Sequence, residues 1–496
     1  GYQRHIWDPE SIRALFSKVP DDRMLLLDLS VDFNYGIWEN EYTWNYAKGI
    51  YGKKWIYSTV PNFGGRTCPV GDLDFYLNGH LNALTSPNKG NLIGLGTAPE
   101  GVENNEVVYE IIADAAWSTS HKDIREWLRN YTVNRYGACP DAIMEFWDKM
   151  LASDYGFCSS RAQYRVQEKP FDGLGGRYSV SKTHFEALEA FVAASDELGN
   201  DSAYLTDLAL WAGIYAFGKA DVLAQQIHRA YLVGDKDTAS SLEARFVDLM
   251  YRADRLLDLN PVTRLERWVG FAREWGKDSV ESDKYETNAK RLVTTWGRGR
   301  RADGLDDYSC RMWSGLIRDY YLPRWQHWFD SCKEGKPFDF DAWEYKWAEE
   351  SHGVSDFTHC TDPVAEARAL VATAHDIGTN PDELPGWTSF DMTDGSTRVI
   401  RMIAPEDYPL LKGLRFTWRR GEDPVKLKLV QINAAGWVRF KKDDIGIEIS
   451  RENPVVEIPV DLKVKNGETF QFNYLHIVLD ETKKMTDSQV TVEYVK

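Results

Sequence analysis

The sequence predicts a multidomain protein of mixed class, α/β followed by all-α followed by all-β, and three observations predict it. Short apolar runs separated by helical stretches fill the first part. Long amphipathic stretches take over at Val102, and short alternating segments with turn signals begin after Asn380. At roughly 150 residues per domain, a chain of 496 residues has room for about three.

In the first part, Pro9 to Lys18 carries Ile12, Leu15 and Phe16 at helical spacing, and Val19-Pro20-Asp21-Asp22 turns the chain. Three apolar runs follow. Met24 to Leu29 holds Asp28 near its end, Lys54 to Val60 is closed by Pro61-Asn62-Phe63-Gly64-Gly65, and Asn91 to Thr97 is closed by Ala98-Pro99-Glu100-Gly101. Runs this short and apolar, alternating with helices, form the pattern of buried parallel strands. Three strands are too few for a barrel or a complete doubly wound sheet. Residues 1–117 are therefore expected to be the C-terminal portion of a larger α/β unit.

Val107, Val108, Ile111, Ile112, Ala115 and Ala116 then form an amphipathic helical stripe. Glu103 and Glu106 lie near its start, where the helix dipole favours negative charge. Further helices are expected over Asp123–Tyr136, Asp141–Leu151, Lys182–Leu198, Ser202–Val233, Asp237–Leu257, Val262–Trp275, Ser279–Trp296, Cys310–Phe329, Ala342–Glu350 and Val364–Ala374. Proline falls mostly between these stretches, as a helix breaker should. Residues 118–380 read as an all-helical domain.

The Asn380-Pro381-Asp382-Glu383-Leu384-Pro385-Gly386 segment marks the next change. Alternating segments follow at Thr397–Ile403, Leu414–Trp418, Val425–Ile432, Val455–Val460, Thr469–Val478 and Gln489–Tyr494, with Lys412-Gly413, Arg420-Gly421 and Asn466-Gly467 as turn signals. That spacing predicts a small β-sandwich over residues 386–496. Trp418, Trp437, Phe440 and Tyr474 fit two roles equally: platforms of a carbohydrate-binding module, or the sandwich core.

Composition narrows the function. The chain has 59 basic and 76 acidic residues, a net charge of −17, which disfavours nucleic acid as a partner. The longest apolar stretches, such as Ala209 to Phe217, fall well short of a membrane span. With 19 Trp, 25 Tyr and 21 Phe the chain has ample anchors for packed cores. The cysteines (Cys68, Cys139, Cys158, Cys310, Cys332, Cys360) are dispersed, without zinc spacing. No HExxH, GxSxG or phosphate-cradling glycine loop is present, so no metal or cofactor is called for.

In a parallel α/β barrel, chemistry sits at the C-terminal ends of the strands. The polar residues at those ends are Asp28, Asn62 and Glu100. Glu100 follows a strand and precedes a glycine and a strong helix. Position alone serves two roles equally, a catalytic carboxylate and an acid on the helix dipole. Asp28 reads as structural, orienting a neighbour. Trp296 and Tyr308 are aromatic residues of the type usually found in cores.

Taken in order, Leu26-Leu27-Asp28-Leu29, Asn62-Phe63-Gly64-Gly65 and Gly94-Leu95-Gly96-Thr97-Ala98-Pro99-Glu100-Gly101 with Asn105-Glu106-Val107-Val108-Tyr109 form a recognisable series. It continues through Arg135-Tyr136-Gly137, Tyr285-Glu286 with Asn288, Leu292 to Trp296-Gly297, Asp307-Tyr308, and Tyr320-Tyr321 with Pro323-Arg324-Trp325. In this the chain resembles the α-N-acetylglucosaminidases of glycoside hydrolase family 89, over roughly its first three-quarters.

The resemblance implies the C-terminal part of a (β/α)8 catalytic barrel, followed by a helical domain that helps complete the sugar pocket. It implies retaining hydrolysis of terminal, non-reducing α-linked N-acetylglucosamine from a glycan, with Glu100 as nucleophile. Leu29, Phe63, Trp296, Leu305 and Tyr308 are the implied sugar-contacting residues. Where the family has a His before the Asn-Phe-Gly-Gly turn, this sequence has Pro61. The family's acid/base glutamate belongs to an earlier strand, which is expected upstream of this sequence. Glu106, inside the following helix, is not suited to replace it. A secreted, periplasmic or cell-surface location is implied, lysosomal in a eukaryote.

Two alternatives remain open at this point: a non-catalytic glycan-binding fragment, and a barrel enzyme of other chemistry using Glu100 as a base. Arg298, Arg300 and Arg301 beside Trp296 suggest contact with a sulfated or acidic glycan, although a solvated basic helix end has the greater weight.

Overall fold

A computed structural model of the chain describes residues 9–33, 42–101, 106–158, 164–170, 182–233, 235–296, 306–350, 353–356, 358–378, 391–392, 398–401, 408–418, 424–434, 437–463, 473–479, 485–486 and 490–496. The chain divides into two compact units, Gly1–Arg161 and Ala162–Lys496.

The first unit contains a three-stranded parallel sheet, Leu25–Asp28, Lys54–Thr59 and Asn91–Thr97, in that order across the sheet. Leu26 pairs with Trp55, and Tyr57 with Leu95. Strand side chains alternate between faces. Trp55 and Tyr57 accordingly share a core with Val31, Trp44, Ile50 and Ala83, against which Leu26, Leu92 and Leu95 pack. The Trp44 ring stacks on Trp55 at 5.5 Å. Leu25, Leu27 and Leu29, at alternate positions, are 55%, 48% and 44% exposed, and Ile93 is 57% exposed. Parallel sheets are ordinarily covered on both faces. Here, among the described residues, one apolar face is about half exposed.

This compact unit extends to Arg161. Asn78 Nδ2 donates to the Lys122 carbonyl and Asn78 Oδ1 accepts the Lys122 N–H, both at 3.0 Å. His80 Nε2 meets the Ser118 carbonyl at 2.8 Å, and Gly71 pairs with Phe157. The helices Ile124–Tyr136 and Asp141–Leu151 therefore pack within the α/β unit. Side-chain-to-backbone links of this kind leave no trace in helical periodicity. In the helix Glu106–Ala115, Val107, Val108, Ile111 and Ala115 are buried as the stripe predicted. Ala116 is exposed because the helix stops one residue earlier.

The second unit is helical up to residue 378 and β beyond it. Its longest helix, Ser202–Val233, packs along Lys236–Leu257. Aspartates start several helices. Asp235, Asp278 and Asp362 each accept the amide three residues on, satisfying one of the unpaired N–H groups of the first turn. Four expected helices differ, the first being Lys182–Leu198, which divides into Lys182–Ala193 and Ser195–Leu198. Ser279–Trp296 ends at Leu292, where Val293 leaves helical geometry with φ −103° and ψ 1°, and Trp296 further on takes a positive φ of 62°. Cys310–Phe329 becomes a π turn at Ile317–Tyr321 running into Leu322–Glu334. Ser314 is held out of it by backbone bonds to Thr263 and Leu265, at 2.8 and 2.9 Å. Val262–Trp275 is a short 3-10 turn followed by Leu265–Glu274.

Most of the C-terminal strands form two antiparallel sheets, with Asp391–Met392 and Met485–Thr486 paired apart from them. One orders Trp437–Lys442, Val425–Ala434, Asn473–Leu479 and Arg398–Arg401, with Ile447–Ile449 also on Val425–Ala434. The other orders Val455–Pro459, Gly413–Trp418 and Val490–Val495. Leu414, Phe416, Ile458 and Val492 of the second sheet share one buried cluster with Leu427, Ile432, Leu475 and Ile477 of the first, which makes a sandwich. Trp437–Lys442 and Ile447–Ile449 were not expected as strands. Trp418 and Phe440 pack against that core. The side chains of Trp437 and Tyr474, and the segment expected to join the helical and β parts (380–386), lie outside the described residues.

The six cysteines are unbridged. Among the described residues no helix is long and apolar enough to cross a membrane.

Candidate active site

The ends of the second and third strands are stitched together residue by residue. The Ala98 N–H donates to the Thr59 carbonyl at 2.9 Å, and the Glu100 N–H to the Asn62 carbonyl at 3.1 Å. The Gly64 N–H in turn donates to Glu100 Oε2 at 2.7 Å. A charge-assisted bond of this kind orients a carboxylate as well as stabilising it. The turn depends on glycine, since Gly64 and Gly65 take φ values of 65° and 70°, a region hostile to other side chains. Asn62 is buried and donates from Nδ2 to the Arg66 carbonyl at 3.0 Å, closing the turn. Phe63 is half-buried and meets Phe33 edge-on, with ring centres 4.9 Å apart.

Leu29 stands exposed beyond the first strand. Asp28 is buried and accepts a bond from Thr43 Oγ1 at 3.2 Å, and burial pushes its carboxyl up to about 7. Sequence reading passed over Asp32. It is 3% exposed, and burial raises it to about 7 against the opposing hydrogen bond from the Val60 amide. The one available sign was an acid set between the apolar Val31 and Phe33 directly after a strand.

In the second unit, the Trp296 and Tyr308 rings meet edge-to-face with centres 5.4 Å apart and planes at 79°. Both follow the helix Ser279–Leu292. The Trp296 N–H donates to the Arg291 carbonyl at 2.6 Å, and the Asp307 N–H to the Thr294 carbonyl at 2.8 Å. Next to Tyr308, Asp307 takes Arg324 Nη1 on both oxygens, at 3.0 and 2.9 Å. The guanidinium, fully buried, also reaches Glu344 at 3.1 Å, and Lys169 Nζ lies 3.0 Å from Glu344. Burial raises the Asp307 carboxyl to about 6, opposed by Arg324. Asp307 and Arg324 were legible only as motif residues without a role. Leu305, Arg298, Arg300 and Arg301 lie outside the described residues.

Glu100 and Phe63 are thus joined in the first unit, and Trp296 and Tyr308 in the second. Among the described residues no group of three or more His, Cys, Asp or Glu could hold a metal ion.

The first unit thus carries a turn-held carboxylate beyond the strands of a parallel sheet, and a helical region follows later in the chain; comparison with known proteins adds a family. Residues 1–119 match the family described as "Alpha-N-acetylglucosaminidase (NAGLU) tim-barrel domain", and residues 127–373 the "Alpha-N-acetylglucosaminidase (NAGLU) C-terminal domain". The chain is a relative of the α-N-acetylglucosaminidases of glycoside hydrolase family 89. It is similar to human alpha-N-acetylglucosaminidase, with 28% identity over 351 residues, covering 68% of this chain and 45% of the human protein. It is also similar in structure to a family 89 glycoside hydrolase from Clostridium perfringens bound to 2-acetamido-1,2-dideoxynojirmycin (TM-score 0.66, 25% identity, 74% of this chain and 44% of that one). A further structure from Clostridium perfringens, with two glutamates replaced by glutamine and GlcNAc-alpha-1,4-galactose bound as its substrate, matches with a TM-score of 0.66 and 25% identity. It covers 77% of this chain and 45% of that one. The chain spans less than half the length of each of these relatives.

Proposed function

We propose that this chain is the C-terminal part of a retaining α-N-acetylglucosaminidase, acting on glycans with a terminal α-linked N-acetylglucosamine. Glu100 is the nucleophile, and Leu29, Phe63, Trp296, Leu305 and Tyr308 contact the sugar. The organisation is 1–117 as barrel strands and helices, 118–380 as helical domain and 386–496 as sandwich, in a secreted or compartment-enclosed protein. The observation that carries the reading is the Gly64 amide bonded to the Glu100 carboxylate beyond the end of a parallel strand. The substrate complex of the Clostridium perfringens relative, made with two glutamates neutralised, supports a pair of carboxylates in the chemistry.

In such a reaction Glu100 attacks the anomeric carbon while a second carboxyl protonates the departing oxygen, and water then releases the sugar from the ester so formed. The two carboxyl groups must stand about 5–5.5 Å apart. The second is proposed to come from strands upstream of this sequence. The half-exposed apolar face of Leu25, Leu27, Leu29 and Ile93 supports that, being the face that further barrel strands would cover.

Turnover of an aryl α-N-acetylglucosaminide tests the reading. A version extended upstream should hydrolyse it, and Glu100→Gln should cost on the order of 10⁵-fold in kcat. An extended version that binds the sugar without turning it over would instead mark a glycan-binding protein.

A further inference from the structure

The turn that orients Glu100 hangs on one buried carboxylate. Both oxygens of Asp32 accept the Val60 N–H, at 3.2 and 3.1 Å. Val60 is buried and is the first residue past the second strand, where a buried amide needs a partner. Asp32 is itself fixed, accepting the Phe33 N–H on Oδ1 at 3.2 Å and the Tyr76 hydroxyl on Oδ2 at 3.3 Å. The adjacent Phe33 ring abuts Phe63. Asp32 and Phe33 thus pin both the entry and the middle of the turn whose Gly64 amide reaches Glu100.

Between Val60 and Gly64 there is little slack. Pro61 restricts its own φ, and Asn62 is tied by its carbonyl to the Glu100 amide and by its side chain to the Arg66 carbonyl. We infer that Asp32 is a positioning residue for Glu100: by fixing the Val60 amide it sets the turn through Phe63 and Gly64, and with it the place of the Glu100 carboxylate. The effect on turnover rests on Glu100 as nucleophile, whereas the geometric link can be tested without it. A displacement of about 1 Å at a reacting group can cost on the order of 100-fold.

Labelling with 13C-carbonyl phenylalanine and 15N-glycine singles out the amides of Gly64 and Gly218, the glycines that follow Phe in this sequence. In the full chain, the Gly64 resonance should titrate with Glu100, and Glu100→Gln should abolish that titration. Asp32→Ala should also abolish it while leaving Gly218 in place. Asp32→Asn, whose amide oxygen still accepts from Val60, should recover most of it. In the upstream-extended protein Asp32→Ala should lower kcat by about 100-fold with KM changed only a few-fold, and Asp32→Asn should recover most of the loss. An unchanged Gly64 titration and kcat in Asp32→Ala overturns the inference, as does equal damage in the alanine and asparagine variants. If Asp32→Ala does not fold, hydrogen exchange in the unmutated chain decides. Val60 and Gly64 amides protected together support the link, and a fast Val60 beside a protected Gly64 overturns it. Loss of the Gly64 titration in Asp32→Ala, with no turnover from the extended protein, removes the hydrolase reading and leaves the link standing.

Discussion

The α/β unit and the helical unit hold their candidate sugar residues by contrasting means. Around Glu100 the work falls to backbone groups: two amide-to-carbonyl bonds lace two strand ends, a third amide holds the carboxylate, and glycine conformations shape the turn. Around Trp296 and Tyr308 two backbone bonds are supplemented by buried charge, with Arg324 set between Asp307 and Glu344 and Lys169 beside them. Backbone lacing places a reacting atom with little freedom, because it uses the chain's least mobile groups. A salt-bridge network can carry bulky rings on irregular chain, but each charge is tolerated only while its partners remain.

That contrast can be broken at its charged end first. Arg324→Met should strand Asp307 and Glu344 in the interior and cost about 3–5 kcal/mol, measured by urea unfolding of the chain. If the loss is under about 1 kcal/mol, the network is not what holds the helical unit's aromatic pair.

The next test uses the uneven covering of the parallel sheet. Leu27→Ala should change the stability of this chain by no more than about 1 kcal/mol, because the side chain is 48% exposed. In the upstream-extended protein the same substitution should cost about 2 kcal/mol or more, as for a filled core site. Equal costs in both would mean that the extension does not cover this face.

A further test reads the buried carboxyl of the α/β unit through pH. Asp28 has its carboxyl raised to about 7 by burial, against an ordinary value near 3.8. The folded state therefore holds a proton that the unfolded chain has released. Its stabilising contribution is complete below about pH 4 and is lost as pH rises towards 7. Asp28→Asn should accordingly gain stability relative to the parent by up to about 1.4 kcal/mol per pH unit across that window, and no further above it. Thermal melts at a series of pH values would show this, and a pH-independent difference would place Asp28 in contact with water.

Much of the architecture was legible in the sequence because it follows from periodicity. The runs at Leu25, Lys54 and Asn91 became the three parallel strands, and Val107, Val108 and Ile111 became the buried stripe of the next helix. The ordered motifs pointed to Glu100 and Phe63, which the turn at Gly64 does bring together. Less was legible where side chains overrule periodicity. Trp296 continues a helical pattern by spacing, yet the helix stops at Leu292 and the Trp296 backbone is left-handed. Trp418 and Phe440 could equally have faced a sugar, and only the packing of two sheets turned them towards a core.

The sequence by itself determined the succession of α/β, helical and β parts and the family these motifs resemble, because periodic burial and turn residues are local properties of the chain. Tertiary structure alone decided that Asp32 holds Val60, that Asp307 meets Arg324, and that the helices to Leu151 belong to the same compact unit as the sheet. These pairings depend on which buried polar groups come within reach of one another, and residues 17 to 28 positions apart carry no periodic sign that they will meet.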